Sequence, residues 1–225
     1  MTPRSIGIIG GAGPMAGYYL LSRIFSLFTQ EYGCYKDDDY PKVVLISFPF
    51  SEMLTPTLNP IQIKQELKSC LSELRRLDTS LIAIACNTLH LFLEEEGIVH
   101  LPRLIGEVLS SCEPPLVLAT STSVRFGLHK NYFRCDYPSE ETQYEVDQII
   151  EQILKGRDED LILKTLQSII EKQTQNTIVL GCTELSLYSS KLKVEGKKII
   201  DPLEILAREL VEQSLNKGKV YGNIR

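Results

Sequence analysis

Along the 225-residue chain, short apolar runs alternate with longer stretches in which apolar residues recur every three or four positions. The short runs predict strands at residues 5–9, 43–48, 81–85, 104–105, 116–119, 177–181 and 198–200. Several are apolar on both faces, as parallel strands covered by helices should be. The longer stretches predict helices. One covers residues 15–30, with Pro14 in its first turn. Another covers 61–77, with Ile63, Leu67, Cys70, Leu71, Leu74 and Leu77 on one stripe. Two more fall at 142–154 and 158–173. A last helix covers 203–216, opened by an Asp201 cap and a first-turn Pro202. Strands alternating with helices predict an α/β fold.

The pattern also repeats. Ile82-Ala-Ile-Ala-Cys86-Asn-Thr-Leu-His-Leu-Phe92 aligns with Ile178-Val-Leu-Gly-Cys182-Thr-Glu-Leu-Ser-Leu-Tyr188. Each reads as a strand, a cysteine, two polar residues, leucines at +3 and +5, and an aromatic at +6. The run Ile6–Ala16 aligns with Leu116–Phe126, and Ile105-Gly106-Glu107 with Ile200-Asp201-Pro202. Three matches in one order predict two similar α/β halves, each carrying one cysteine at the carboxyl end of a strand.

Composition narrows the chemistry. Apolar residues make up 43% and charged residues 24%, values of an ordinary globular protein. The net charge of −5, without a basic tail or stripe, argues against a nucleic-acid partner. No apolar run reaches the ~18–20 residues that span a bilayer, and the first residues lack a secretory leader, so no membrane partner and a cytoplasmic location are expected. The six cysteines form no C-x-x-C pair, so neither a zinc site nor, in a reducing compartment, a disulfide framework is expected. Cys70, on its apolar stripe, reads as a packing residue. Cys34, Cys112 and Cys135, which lack a repeated context, read the same way.

Cys86 and Cys182 differ because they recur. Substrate sites of open α/β sheets lie beyond the carboxyl ends of the strands. Each of these cysteines stands there and is expected to open a helix, whose unpaired N–H groups favour a thiolate. Were the halves to face each other, two sulfurs would flank one carbon. One thiolate then removes an acidic proton, and the opposite thiol returns one to the other face. This is stereochemical inversion next to a carboxylate, and it needs no cofactor. Donors toward the carboxylate are expected from Asn87, Thr88, Thr183 and nearby backbone N–H groups. His90 and Glu184 are placed to orient or tune the sulfurs.

The segments Gly10-Gly-Ala-Gly-Pro14, Cys86-Asn-Thr-Leu-His90 and Leu180-Gly-Cys-Thr-Glu-Leu185 resemble the aspartate/glutamate racemase family, most of all its aspartate racemase branch. The likeness runs from about Ser5 to Arg208. It implies two similar Rossmann-like domains with mostly parallel sheets, pseudo-two-fold related, and an active site in the cleft between them. It implies racemisation by two cysteines without pyridoxal phosphate, an amino-acid substrate and a homodimer. It also implies that the last helix returns to the first half, giving domains 1–103 plus 203–225 and 104–202. Substrate-binding positions implied are Gly11 and Gly13 in the glycine loop and Thr120, Ser121 and Thr122 after the strand at 116–119.

The sequence departs from the family at the substrate clamp. Phe48 and Leu54 stand where aspartate racemases carry an Asn and an Arg that contact carboxylates, and a second basic residue is displaced to Lys155. Thr120-Ser-Thr-Ser123 lacks the glycine usual in its middle. Loss of an Arg removes a bidentate carboxylate partner, so a substrate less acidic than aspartate is expected unless Arg103 or Arg125 replaces it.

Three rival readings remain open. Gly11-Ala-Gly-Pro-Met-Ala16 fits the G-x-G-x-x-A dinucleotide fingerprint, although Phe48 occupies the place of the ribose-binding acid. Hydantoin racemases, maleate isomerases and arylmalonate decarboxylases resemble the same architecture. A non-catalytic amino-acid-binding protein on this scaffold is the third.

Overall fold

The computed structural model describes residues 3–54, 57–109 and 113–216. Cys112 and residues 217–225 of the predicted first domain lie outside them. The fold is α/β, with two parallel three-stranded sheets. The first has the order β2-β1-β3, from β1 (Ile6–Gly10), β2 (Val43–Ser47) and β3 (Leu81–Ile84). The second has the order β4-β5-β6, from β4 (Leu116–Val117), β5 (Thr177–Val179) and β6 (Lys198–Ile200). β1 and β3 are wholly buried, whereas β2, at a sheet edge, is half exposed.

Single-residue parallel bridges complete the internal repeat. Val99 pairs with Ala83 beside β3, and Asp136 pairs with Leu116 beside β4. The two sheets then read β2-β1-β3-Val99 and Asp136-β4-β5-β6, the same order of four positions. One of the four has shrunk to a bridge in each half, at opposite edges.

This order corrects one predicted strand and one predicted match. Residues 104–105 lie in a helix, α3 (Leu101–Val108), not in a strand. The apolar residues Leu101, Leu104, Ile105 and Val108 follow i, i+3, i+4, i+7 spacing, and Pro102 sits in the first turn, both helical signals. The counterpart of Ile200-Asp201-Pro202 is therefore Val99-His100-Leu101-Pro102, with a sheet residue, a cap and a proline-opened helix in each half.

The remaining helices match the predicted ones closely, apart from the short helix Ser121–Arg125, which the apolar pattern does not predict. They are α1 (Pro14–Tyr32), α2 (Pro60–Arg76), α4 (Ser121–Arg125), α5 (Glu140–Leu154), α6 (Glu159–Glu171) and α7 (Pro202–Ser214). Side-chain caps from Asn59, Ser139, Asp158 and Asp201 satisfy first-turn N–H groups of α2, α5, α6 and α7. Gly33 closes α1 in the left-handed conformation.

The chain's last described helix does cross back. α7 packs along α1 and against α3, and Arg23 and Arg208 converge on Glu204 at that seam. One apolar cluster includes Ile8, Leu20 and Phe28 with Leu206 and Leu210, and extends to Val117 and Val179 of the second sheet. Each half also has an apolar cluster of its own, one around Ile63, Leu67 and Ile84 and the other around Ile150, Leu166 and Ile178, so the shared cluster joins two cores. Leu206 is fully buried at this junction. Leu206→Ala should lower the unfolding free energy by about 2–5 kcal/mol, read from urea denaturation, because it opens a cavity where α1 and both sheets meet.

Candidate active site

The carboxyl ends of β1, β3, β4 and β5 converge on a cavity of about 250 Å³. Cys86 follows β3 and Cys182 follows β5, and both line it. The glycine loop after β1 contributes Gly11, Ala12, Gly13 and Pro14. The segment after β2 contributes Phe50, Ser51, Glu52, Met53 and Leu54, while Ile150 and Leu154 of α5 close the far wall. Asn87, Thr88, Thr120, Gly181, Thr183 and Glu184 complete the lining.

Both glycines are required by this packing. Gly11 has φ +99°, and a Cβ there would strike the Phe48 backbone. A Cβ on Gly13 would strike the Glu184 carboxylate and Leu154. Phe48, in the place of a ribose-binding acid, lies with its backbone against Gly11, which counts against the dinucleotide reading.

The two cysteine segments are held in the same way. Each sulfur accepts backbone N–H groups from the residues two and three positions on: Thr88 and Leu89 for Cys86, Glu184 and Leu185 for Cys182. The helices they open are short 3₁₀ segments, Thr88–Leu91 and Leu185–Lys191. Across the halves, Asn87 Nδ2 donates to the Gly181 carbonyl at 2.9 Å, and Thr183 Oγ1 donates to the Ala85 carbonyl at 3.0 Å. The residue after each cysteine thus grips the carbonyl before the other. Thr88, Thr120 and Ser123 add a buried hydroxyl network between the halves, with separations of 3.0–3.3 Å.

These bonds change the expected roles. The Thr183 hydroxyl proton and one Asn87 N–H are engaged across the halves and are not free for a carboxylate. Asn87 is 1% exposed, and its Oδ1 has no partner among the described residues, leaving a buried acceptor that calls for a donor.

The electrostatics run against the expected thiolates. Burial pushes the Cys86 thiol up to about 11, opposed by the two N–H groups and reinforced by the Glu184 charge. Cys182 is pushed higher still, first by burial, then by Glu184 and by the charge of Cys86. Desolvation outweighs what two N–H groups of a short 3₁₀ segment supply. Glu184 is itself raised to about 6 by burial, with the Ala16 N–H at 3.3 Å opposing.

His90 is buried behind Cys86 and does not line the cavity. Its Nδ1 lies 2.8 Å from the Cys86 carbonyl, and Leu101 N–H donates to Nε2 at 3.3 Å. Both ring nitrogens are engaged by backbone, so this neutral ring ties Cys86 to α3. Burial, reinforced by the neighbouring His100, lowers its pKa to about 3.

Other predicted positions fall away from the cavity. Ser121 caps toward Asp147 of α5 through its N–H and hydroxyl. Thr122 is buried and donates to the Met53 carbonyl, supporting the cavity wall from behind. Lys155 is exposed and paired with Glu151 at 2.6 Å. Arg103 and Arg125 are not among the lining residues, and Arg125 stacks on Phe126. Cys70 and Cys135 are buried in apolar clusters as expected, and Cys34 is half-buried at a cluster's margin. Sequence reasoning missed Glu52. The rule that ligands sit beyond strand ends, applied to β2 as it was to β3 and β5, points to it. Glu66 of α2 holds this segment in place by accepting from the Ser51 N–H at 2.9 Å and the Ser51 hydroxyl at 2.5 Å.

No family model matches the chain. It is 23% identical over 223 residues to the broad specificity amino-acid racemase RacX of Bacillus subtilis, covering 93% of this chain and 98% of that one. Among solved structures it superposes on an aspartate racemase from Picrophilus torridus with a TM-score of 0.77 and 22% identity, over 94% of each chain. A glutamate racemase from Thermus thermophilus, in complex with β-chloro-D-alanine, gives a TM-score of 0.68 and 13% identity, over 94% of this chain and 80% of that one. The fold is that of the aspartate and glutamate racemases.

Because its folded pKa lies above its unfolded value, Glu184 adds stability at low pH that is lost as pH rises through about 6. Glu184→Gln should therefore match the parent protein near pH 4 and exceed its stability by about 2 kcal/mol above pH 7. Thermal melts across that range check this, and an unchanged difference between the two proteins at all pH values would refute it.

Proposed function

We propose that this protein is a cofactor-independent amino-acid racemase in which Cys86 and Cys182 work as an acid/base pair on opposite faces of the substrate Cα. The observation that carries the reading is that both repeated cysteines line one cavity, on loops gripped reciprocally by Asn87 and Thr183. The relatives named racemase, and the shared fold, support it from an independent direction.

In this reading both sulfurs rest as thiols, since burial disfavours charge. The substrate α-ammonium donates to the orphaned Asn87 Oδ1 and brings a positive charge beside them, which lowers their pKa. Glu184, whose charge both thiols feel, takes one sulfur's proton. That thiolate removes the Cα proton. The remaining thiol delivers its own proton to the opposite face and becomes the thiolate of the reverse reaction. The two sulfurs titrate as a coupled pair. The substrate carboxylate, which shares the carbanion charge, takes the second Asn87 N–H and backbone N–H groups of the Gly11–Gly13 loop.

His90 acts as a positioning residue through the Cys86 carbonyl. Division into 1–103 plus 203–225 and 104–202, assembly as a homodimer and a cytoplasmic location are part of the same proposal. The α7 return onto α1 supports the division.

Cys86→Ser and Cys182→Ser should each reduce racemisation by about 10²-fold or more, because one face loses its proton carrier. Chiral chromatography of product, with circular dichroism to verify folding, reads this out. Turnover at the parent rate in either folded variant would remove that cysteine from the mechanism. Iodoacetamide should inactivate the protein, and bound substrate should slow the loss.

A further inference from the structure

The cavity carries a one-sided charge inventory. Among the described lining residues, Glu52 and Glu184 are the only charged side chains, with no Lys, Arg or His. The adjacent Thr55 and Pro56 carry no charge either. Glu184 sits at the sulfurs, with its carboxylate on the Ala16 N–H. Glu52, on the segment after β2, lines the cavity and is exposed, and its Oε1 accepts the Leu54 N–H at 2.8 Å. One N–H leaves most of a carboxylate's acceptor sites open. Beside it the wall is apolar, formed by Phe50, Met53, Leu54 and Leu154.

Resting on the racemase reading, we propose that the substrate is an amino acid with an aliphatic stem ending in a cation, as in lysine or ornithine, and that Glu52 is the partner of that cation. The α-ammonium occupies the acceptor at Asn87 Oδ1, the stem lies on the apolar wall, and the terminal cation meets the Glu52 carboxylate. A substrate with a second carboxylate would bring that group into a cavity whose fixed charges are both acidic, with no compensating cation among the described residues. Like charges in a partly desolvated site repel, so the same inventory that selects a basic side chain rejects an acidic one.

The test is Cα deuterium incorporation in D2O, followed by NMR with L-lysine, L-ornithine, L-norleucine and L-glutamate. Norleucine keeps the stem and lacks the cation. The expected result is a kcat/KM for lysine at least about tenfold above norleucine and above glutamate. Glu52→Gln should reduce the lysine-to-norleucine ratio by about tenfold, and Glu52→Lys should shift the preference toward glutamate. Norleucine or glutamate exchanging as well as lysine, or a ratio unmoved in both folded variants, overturns the assignment to Glu52 and leaves the racemase reading standing. No exchange with any of the four overturns both.

Discussion

Two hydrogen bonds determine whether this molecule has a site at all. Asn87 reaches across to the Gly181 carbonyl, and Thr183 reaches back to the Ala85 carbonyl. Each bond is worth only about 0.5–1.5 kcal/mol net, but both are buried, and leaving either carbonyl unmade would cost more than the bond returns. The bonds fix the two cysteine loops relative to each other by main-chain atoms next to the sulfurs. Little side-chain flexibility then intervenes between the two halves and the relative position of Cys86 and Cys182. The Thr88–Thr120–Ser123 hydroxyls and the shared apolar cluster extend the same junction outward.

The closeness of that junction sets the electrostatic problem that the chemistry must solve. Closing the cleft removes both thiols from water, which pushes them away from the charged form they need. The N–H groups two and three residues on oppose the shift without cancelling it. Glu184, raised by the same burial, adds negative charge in its ionised form and opposes a thiolate further. Such a cavity suits a cationic visitor: positive charge beside the sulfurs offsets the desolvation that burial imposes on them. Glu52 extends this preference to the outer end of the cavity, where the loop held by Glu66 presents a second acid.

Much of this was legible in the sequence wherever local spacing encodes burial. The helices of residues 15–30, 61–77, 142–154, 158–173 and 203–216 were found to within a few residues, because their apolar stripes and capping residues are local signals. Residues 104–105 were misread because two apolar residues in a row satisfy a strand and a helix equally. The proline-opened turn at Pro102 should have decided between them. The strand position of that half went instead to Val99, which pairs through a single bridge too short for periodicity to reveal.

What the sequence determined by itself is the repeat, two strand–cysteine units with matching flanks, and a glycine loop between the first strand and the first helix. These are properties of neighbours along the chain. Tertiary structure alone decided which charges face the cavity. Lys155 turned outward to Glu151, Ser121 went to Asp147, His90 went behind Cys86, and Glu52 came in. A side chain's direction there depends on partners tens of residues away, such as Glu66 beneath Ser51 or Gly181 opposite Asn87. No periodicity carries that information, because the energy that orients these groups comes from burial and pairing between segments that meet only after the two halves have closed.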